Sequence, residues 1–452
     1  MKIVILLFLF TAAQIVSAEE LKPNIILVMA DDSAADNYGC YGSTFFSTPR
    51  LDALASSGAR FEHCYSTPVC TPSRVKLMTG RDGIRNYAMF GCLDKNEITF
   101  GTMMKQAGYA TAIAGKWQLH GAPNGSLAPD CGFDSFCLWN YPGGGRQRFW
   151  NPSIIQDGNL LETTDKDYGP DIFTNYIIDF VEQNKEQPFF VYYPMVLVHS
   201  PFVATPDSQP MDGVEKKEMP LQYFRDMTAY ADKCVGKIVD ALEENGLREN
   251  TVVMYTTDNG TGRSLTYPFK QEMRDGEKAY ATDGGTHAPL IVNCPGTVPP
   301  GIVSDDMVDF SDVLPTLADI TGAALPDVTL DGRSFWPQCQ GEQGNPRQSI
   351  FQYYYPKFTA AAEPHGQGVN GHEIVWAQNQ HFKLYRDGTL YALSDRHEAT
   401  PIKPGIAGDK AEAARRLLQK TIDSMPTTAA ILAYKEKDRA GKRDKSENLD
   451  EK

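Results

Sequence analysis

The sequence predicts an α/β protein with a large mixed, mostly parallel sheet flanked by helices, followed by a smaller C-terminal α+β subdomain with an antiparallel sheet. Three observations predict it. Continuous apolar runs, of the kind buried on both faces of a parallel sheet, alternate with segments of helical periodicity. A length of 452 residues can bury a core of that size. Beyond Asp331-Gly332-Arg333 the texture changes to short alternating stretches separated by Gly and Asp turns.

The elements follow in chain order. Residues 1–18 place Lys2 before the apolar run Ile3 to Phe10 and end on the small residues Val16-Ser17-Ala18, the order of a cleavable export leader. The chain is therefore expected to be secreted or periplasmic, with no membrane span. Four apolar runs read as strands, and each leads to a polar residue. Asn24 to Ala30 leads to Asp31-Asp32, Ala110 to Ala114 to Gly115-Lys116, Phe189 to Val198 to His199, and Thr251 to Thr257 to Asp258-Asn259. Ligands of open α/β sheets bind beyond the carboxyl ends of strands, so these groups are expected to share one site. Residues 49–57, 99–107, 171–184 and 223–245 have helical spacing. Residues 349–355, 373–377, 381–385 and 389–393 read as the small antiparallel sheet, and 409–425 as a last helix. The expected organisation is a leader over 1–18, a catalytic α/β domain over 19–345, a small subdomain over 346–434 and a solvated charged tail over 435–452.

The net charge of −14 argues against nucleic acid or an anionic membrane surface as partner. Nine cysteines are an odd number, and in an exported chain one is left over if the rest pair. The most specific segment is Val69-Cys70-Thr71-Pro72-Ser73-Arg74 followed by Leu77-Met78-Thr79-Gly80-Arg81. Its Thr-Pro pair fits a helix N-cap followed by Pro at the first helical position, leaving Cys70 at a helix N-terminus where an anion is favoured.

This segment closely resembles the signature of the formylglycine-dependent (type I) sulfatases of the alkaline phosphatase superfamily, and the resemblance extends over most of the chain. It implies an alkaline phosphatase-like fold. It also implies oxidation of Cys70 to formylglycine (3-oxoalanine) by a formylglycine-generating maturation enzyme, which removes the odd cysteine from the thiol count. Asp31, Asp32, Asp258 and Asn259 match the family's metal ligands, with Cys70 beside them. Three carboxylates and an amide oxygen make a hard cage for Ca²⁺, with Mg²⁺ second. Arg74 belongs to the signature; Lys116 in Gly-Lys-Trp and Lys278 before Asp283-Gly284-Gly285 match sulfate-binding lysines, and His199-Ser200-Pro201 resembles the motif beside the ester oxygen.

Two positions depart from the family pattern. Gln118 stands where His is common, which leaves the base of the second half-reaction unassigned, with His120 as a substitute. His287 stands where Arg is frequent and is either substrate-facing or structural. Asn259-Gly260-Thr261 and Asn124-Gly125-Ser126 are glycosylation sequons, the second being the freer. Residues 141–150 and 364–372, rich in Gly and carrying cationic or aromatic side chains, are candidate walls of a sugar cleft. The implied activity is hydrolysis of a sulfate monoester on a small molecule or, above all, a carbohydrate. The alternatives are a phosphodiesterase or phosphonate monoester hydrolase of the same superfamily, and a non-catalytic binding protein on a decayed sulfatase scaffold.

Overall fold

The computed structural model describes residues 22–121, 124–139, 147–355, 373–394, 397–398, 401–405 and 408–430. The leader, the charged tail, most of the Gly-rich stretch of 141–150 and all of 364–372 lie outside these residues. No helix among the described residues is long and apolar enough to cross a membrane.

The strands of the large sheet are β1 (Asn24–Ala30), β2 (Ala59–Tyr65), β3 (Ala110–Lys116), β4 (Ser135–Trp139), β5 (Ile154–Gln156), β6 (Asn159–Leu160), β7 (Phe189–Pro194) and β8 (Thr251–Thr257). After the hairpin β9 (Thr266–Phe269) and β10 (Glu272–Asp275), β11 (His287–Asn293) and β12 (Ile302–Asp309) complete it. The order is β12-β2-β11-β8-β1-β7-β3-β4-β5-β6. The four strands legible in the sequence are thus consecutive neighbours, β8-β1-β7-β3, all parallel. The run 189–198 differs from expectation. Its strand ends at Pro194, and the following backbone bonds across to the end of β1 instead, with Asp31 N–H on the Leu197 carbonyl at 2.7 Å and Val198 N–H on the Asp31 carbonyl at 2.8 Å.

Alternation along β1 explains why the sheet is covered on both sides. Ile26, Val28 and Ala30 face one apolar layer, and Ile25, Leu27 and Met29 the other. The helices are α1 (Pro49–Ser56), α2 (Cys70–Thr79), α3 (Gly83–Asn86), α4 (Phe100–Gln106), α5 (Gly169–Gln183), α6 (Met219–Glu244), α7 (Asp283–Thr286), α8 (Val313–Thr321), α9 (Trp336–Cys339) and α10 (Gly408–Asp423). Helices α1, α5 and α6 supply the first layer, through Leu51, Phe173 and Phe224 among others; α2, α4 and α8 supply the second, through Leu77, Phe100 and Leu317. All nine cysteines are free thiols, eight of them buried, so the pairing that export would permit is absent. Cys137 and Cys234 fill one layer while Cys64, Cys131, Cys294 and Cys339 fill the other, where they act as small apolar side chains.

Strands β13 (Ile350–Tyr354), β14 (Ile374–Gln378), β15 (Phe382–Tyr385), β16 (Leu390–Ser394) and β17 (His397–Glu398) form the small antiparallel sheet in sequential order. Helix α10 covers one face through Ala411, Leu418 and Ile422 on Ala377 and Leu384. The other face presents Tyr354, Trp376 and Tyr385 to Val69, the residue that leads into α2. This small sheet therefore supports the turn that carries Cys70.

A buried cation reinforces that contact. Lys76 on α2 is fully buried and bonds Asp309 Oδ2 at 2.8 Å, with Asp82 Oδ2 at 3.0 Å and the Phe351 carbonyl of β13 at 3.3 Å. Burial lowers the Lys76 pKa, but Asp309 and Asp82 outweigh it and raise it overall. Removing one partner of such a pair leaves buried carboxylates uncompensated, so Lys76→Met is expected to cost about 3–5 kcal/mol. Urea unfolding of the purified variant checks this; an unchanged midpoint would show that the network contributes nothing net.

Candidate active site

The functional side chains stand at the carboxyl ends of β1, β3 and β8 and at the first turn of α2. The start of α2 differs from expectation. Thr71 is not the N-cap: the helix begins at Cys70, after Val69 in extended conformation, and no side chain caps it. The turn is held instead by Ser73, whose hydroxyl accepts the Thr67 N–H at 3.0 Å and lies 3.0 Å from the Val69 carbonyl. Cys70 thus occupies the first helical position, 3% exposed, and Pro72 supplies no N–H to the turn.

Two glycines are dictated by close approach. Gly115, with φ +115, has the Pro194 carbonyl oxygen 2.1 Å from where a Cβ would sit, so only glycine lets Lys116 follow at the end of β3. Gly260 would place a Cβ 1.8 Å from the Gly284 carbonyl oxygen, and its N–H bonds the Gly285 carbonyl at 3.0 Å. The Asn-Gly and Gly-Gly segments are therefore two sides of one backbone contact.

Three carboxylates meet three cations, each with a principal partner, and Arg74 Nη2 also lies 3.7 Å from Asp31 Oδ1. Lys116 Nζ bonds Asp31 Oδ2 at 2.7 Å, Lys278 Nζ bonds Asp32 Oδ1, and Arg74 reaches Asp258 Oδ2 with Nε at 3.1 Å and Nη2 at 2.8 Å. Asp258 Oδ1 accepts the Asp32 N–H at 3.1 Å, and Asn259 Nδ2 donates to Asp32 Oδ1 at 2.9 Å. His199 Nε2 lies 3.5 Å from Asp32 Oδ2, while its Nδ1 donates to the Ser200 carbonyl at 2.6 Å. Asp31, Asp32 and His199 offer ligand atoms close enough together to hold one metal ion. Two buried oxygens, Asp31 Oδ1 and Asn259 Oδ1, have no hydrogen-bond partner, which in a native site calls for a ligand.

The electrostatics follow from this crowding. Burial works to raise Asp31, but Lys116, His199, Arg74 and Lys278 outweigh it and hold the carboxyl well below its usual range. Asp32 is lowered in the same way, against burial, chiefly by Lys278. Burial and the neighbouring Asp31 push Asp258 up to about 7, with Arg74 opposing. Burial lowers His199, while Asp32 pulls it back.

The structure brings together Asp31, Asp32, Arg74, Lys116, His199, Asp258, Asn259 and Lys278, and Cys70 lies within electrostatic reach of Arg74 and Lys278. His120 and His287 are elsewhere. His120 pairs with Cys92 in an isolated bridge, and His287 Nε2 donates to the Glu62 carbonyl at 2.7 Å, lining a separate cavity of about 440 Å³ with Tyr65 and Asp283. Gln118 has a left-handed backbone at φ 48 and is half-buried. Asn124, the freer sequon, is half-buried and donates to Asp94 Oδ1 at 2.8 Å.

Two residues near the site had no motif to reveal them. Tyr354 reaches it from β13, where Lys278, Arg263 and Cys70 all act on its hydroxyl. Arg148 lies within electrostatic reach of Asp31, Asp32 and Cys70. The cationic and aromatic composition of 141–150 was a signal for the second; nothing local signalled the first.

The chain is similar to known proteins along most of its length. The family model Sulfatase matches residues 23–323, and the model N-sulphoglucosamine sulphohydrolase, C-terminal, matches 273–420. Arylsulfatase A of Homo sapiens is 33% identical over 370 residues, covering 74% of this chain and 71% of that protein. The crystal structure of Ps i-CgsB superposes with a TM-score of 0.72 at 23% identity, covering 89% of this chain and 92% of that one. The structure of BT4656 in complex with its substrate D-glucosamine-2-N,6-O-disulfate gives 0.66 at 21% identity, covering 88% and 97%. A chain matched over two-thirds of its length by the Sulfatase model, and a third identical to an arylsulfatase, belongs to the sulfatase family of the alkaline phosphatase superfamily, the sulfuric ester hydrolases.

Proposed function

We propose that this chain, exported by way of residues 1–18, hydrolyses the sulfate monoester of a sulfated carbohydrate after a maturation enzyme has oxidised Cys70 to formylglycine. The functional unit is the α/β domain of 19–345, with 346–434 as the subdomain supporting it. The observation that carries the reading is the interlocked pairing of Asp31, Asp32 and Asp258 with Lys116, Lys278 and Arg74 beside the first turn of α2. A sulfated sugar as substrate is supported by the relative that takes a disulfated glucosamine.

The paired charges cancel, so the centre as it stands has little pull on an anion. Its donors fit a hard divalent cation, since Asp31 Oδ1 and Asn259 Oδ1 are buried without partners and all the acidic ligands are oxygens. Asp31, Asp32, Asp258, Asn259 and residue 70 would hold it, Ca²⁺ ahead of Mg²⁺ by family likeness. Such an ion supplies positive charge and lowers the pKa of an oxygen bound to it.

The chain's own residues then have definable tasks. Lys116 and Lys278 are placed to donate to sulfate oxygens, and Arg74 fixes Asp258. Hydrated residue 70 carries two hydroxyls on one carbon. The first gives up its proton as its oxygen forms a bond to sulfur and the sulfur–oxygen bond to the sugar breaks, and the departing oxygen takes up one proton in exchange. His199 serves that step, with Nδ1 committed to Ser200 and Nε2 left toward the cluster. The second hydroxyl next gives up its proton, the carbon–oxygen bond to sulfate breaks, and the aldehyde is restored. Gln118 does not take this proton, because an amide has no basic pKa near neutrality.

The purified chain is expected to hydrolyse 4-nitrophenyl sulfate with a kcat/KM at least about 100-fold above that for bis(4-nitrophenyl) phosphate, roughly 3 kcal/mol of discrimination. A reversed ratio would replace the sulfatase reading with the phosphodiesterase one. Specific binding of sulfated sugar without turnover of either ester would favour the binding protein.

A further inference from the structure

Strand β4 ends at Trp139, whose backbone is in register with Lys116 at the end of β3. The Arg148 guanidinium lies over the Trp139 indole, 4.2 Å from the ring centroid. Both Arg148 Nε and Trp139 Nε1 are buried and have no hydrogen-bond partner. Arg74, Lys116 and Lys278 each sit on a carboxylate, but no ion pair to Arg148 occurs among the described residues. Burial lowers its pKa, with Asp31, Asp32 and Cys70 opposing from the catalytic centre. A guanidinium partly stripped of water and given no acceptor is costly, and the cost is recovered when an anion supplies the missing acceptors.

That anion need not be the reacting sulfate. The reacting group carries a single negative charge and already faces Lys116 and Lys278, whereas Arg148 rests on β4, one strand further from β1 than Lys116. Phe149 is buried in the core, whereas Trp150 is half-buried, with its indole N–H fixed on the Ala204 carbonyl at 2.8 Å. A guanidinium held on Trp139 with its Nε unpaired, and with the half-buried Trp150 two residues along, suits a sugar ring bearing a charged substituent.

We infer that Arg148, seated on Trp139, is a specificity-determining residue that binds a second anionic substituent, a carboxylate or a further sulfate, on the sugar whose sulfate ester is cleaved. The inference rests on the sulfate-ester reading. Its test compares 4-nitrophenyl sulfate with monosaccharide pairs that share one sulfate position and differ only in a second sulfate or carboxylate. The unaltered chain should prefer the doubly anionic member of at least one pair. In Arg148→Ala, kcat/KM for that member should fall about 10- to 100-fold, mainly through KM, the loss expected for one charge-assisted contact. The fall on 4-nitrophenyl sulfate should be far smaller, and Arg148→Lys should recover part of the preference. Equal falls on all substrates would overturn the inference by placing Arg148 on the reacting sulfate, and so would the lack of any preference in the unaltered chain. An unaltered chain inert toward every sulfate ester, 4-nitrophenyl sulfate included, would mean instead that the sulfatase reading itself had failed.

Discussion

Cys70→Ser is expected to lose turnover by roughly 10⁴-fold or more while still binding substrate, the largest effect any single substitution in this chain should have. The reason is chemical. Serine offers one hydroxyl on its carbon where a hydrated aldehyde offers two, so it can take sulfate from the substrate but has no second hydroxyl with which to expel it. The variant should fold normally. Cys70 is 3% exposed at the first position of α2, oxygen replaces sulfur at nearly the same volume, and the turn is held by Ser73 rather than by Cys70. Incubation with an aryl sulfate, followed by intact-mass measurement, should show at most one sulfate added per chain and no continued release of phenol. Sustained release over many turnovers would falsify the assignment of residue 70 as the group that leaves and returns sulfate. Mass measurement of the unaltered peptide containing residue 70 completes the experiment, since a thiol throughout would make serine and cysteine equally idle.

Much of this centre could be read in the sequence because it stands at strand ends. Runs such as 24–30 and 251–257 are apolar on both faces, so their last apolar residue marks where a parallel strand stops, and the polar residues beyond it are the site. The strands that were missed lack that pattern. β2 (Ala59–Tyr65) and β12 (Ile302–Asp309) carry charged residues among their apolar ones and are half-covered, and β11 contains Pro289. The start of α2 was misread because Thr-Pro is a strong local signal for a cap, while the real determinant is tertiary: Ser73 bonding back to Thr67 and Val69. Nothing local marks Lys76, and only the fold brings Asp82, Asp309 and β13 around it. Tyr354 lies beyond sequence reasoning for the same reason, and of Arg148 only the cationic and aromatic character of 141–150 was legible, not its seat on Trp139.

Removing divalent cations is expected to lower kcat/KM by about 10³-fold or more, with Ca²⁺ restoring it better than Mg²⁺. The argument is one of charge. Asp31, Asp32 and Asp258 are neutralised by Lys116, Lys278 and Arg74, so without an added cation both lysines are engaged by carboxylates and the site offers a sulfate ester no net attraction. Asp31, Asp32, Asp258 and Asn259 would hold such an ion, which would supply the partners that the buried Asp31 Oδ1 and Asn259 Oδ1 lack and leave the lysines' charge for the substrate. Asp31→Asn tests the same point without a chelator. It removes the carboxylate that accepts Lys116 while keeping the side chain's shape, so the protein should fold yet bind the ion far more weakly. A readout independent of activity is the melting temperature, which rises with any ligand that binds only the folded chain, by about 2.7 kcal/mol of stability at 100 times its Kd. Ca²⁺ should raise the melting temperature of the unaltered, chelator-treated chain and leave that of Asp31→Asn nearly flat. Full activity in protein shown by elemental analysis to hold no divalent metal would defeat this account, and an equal Ca²⁺ response in both proteins would move the ion away from Asp31.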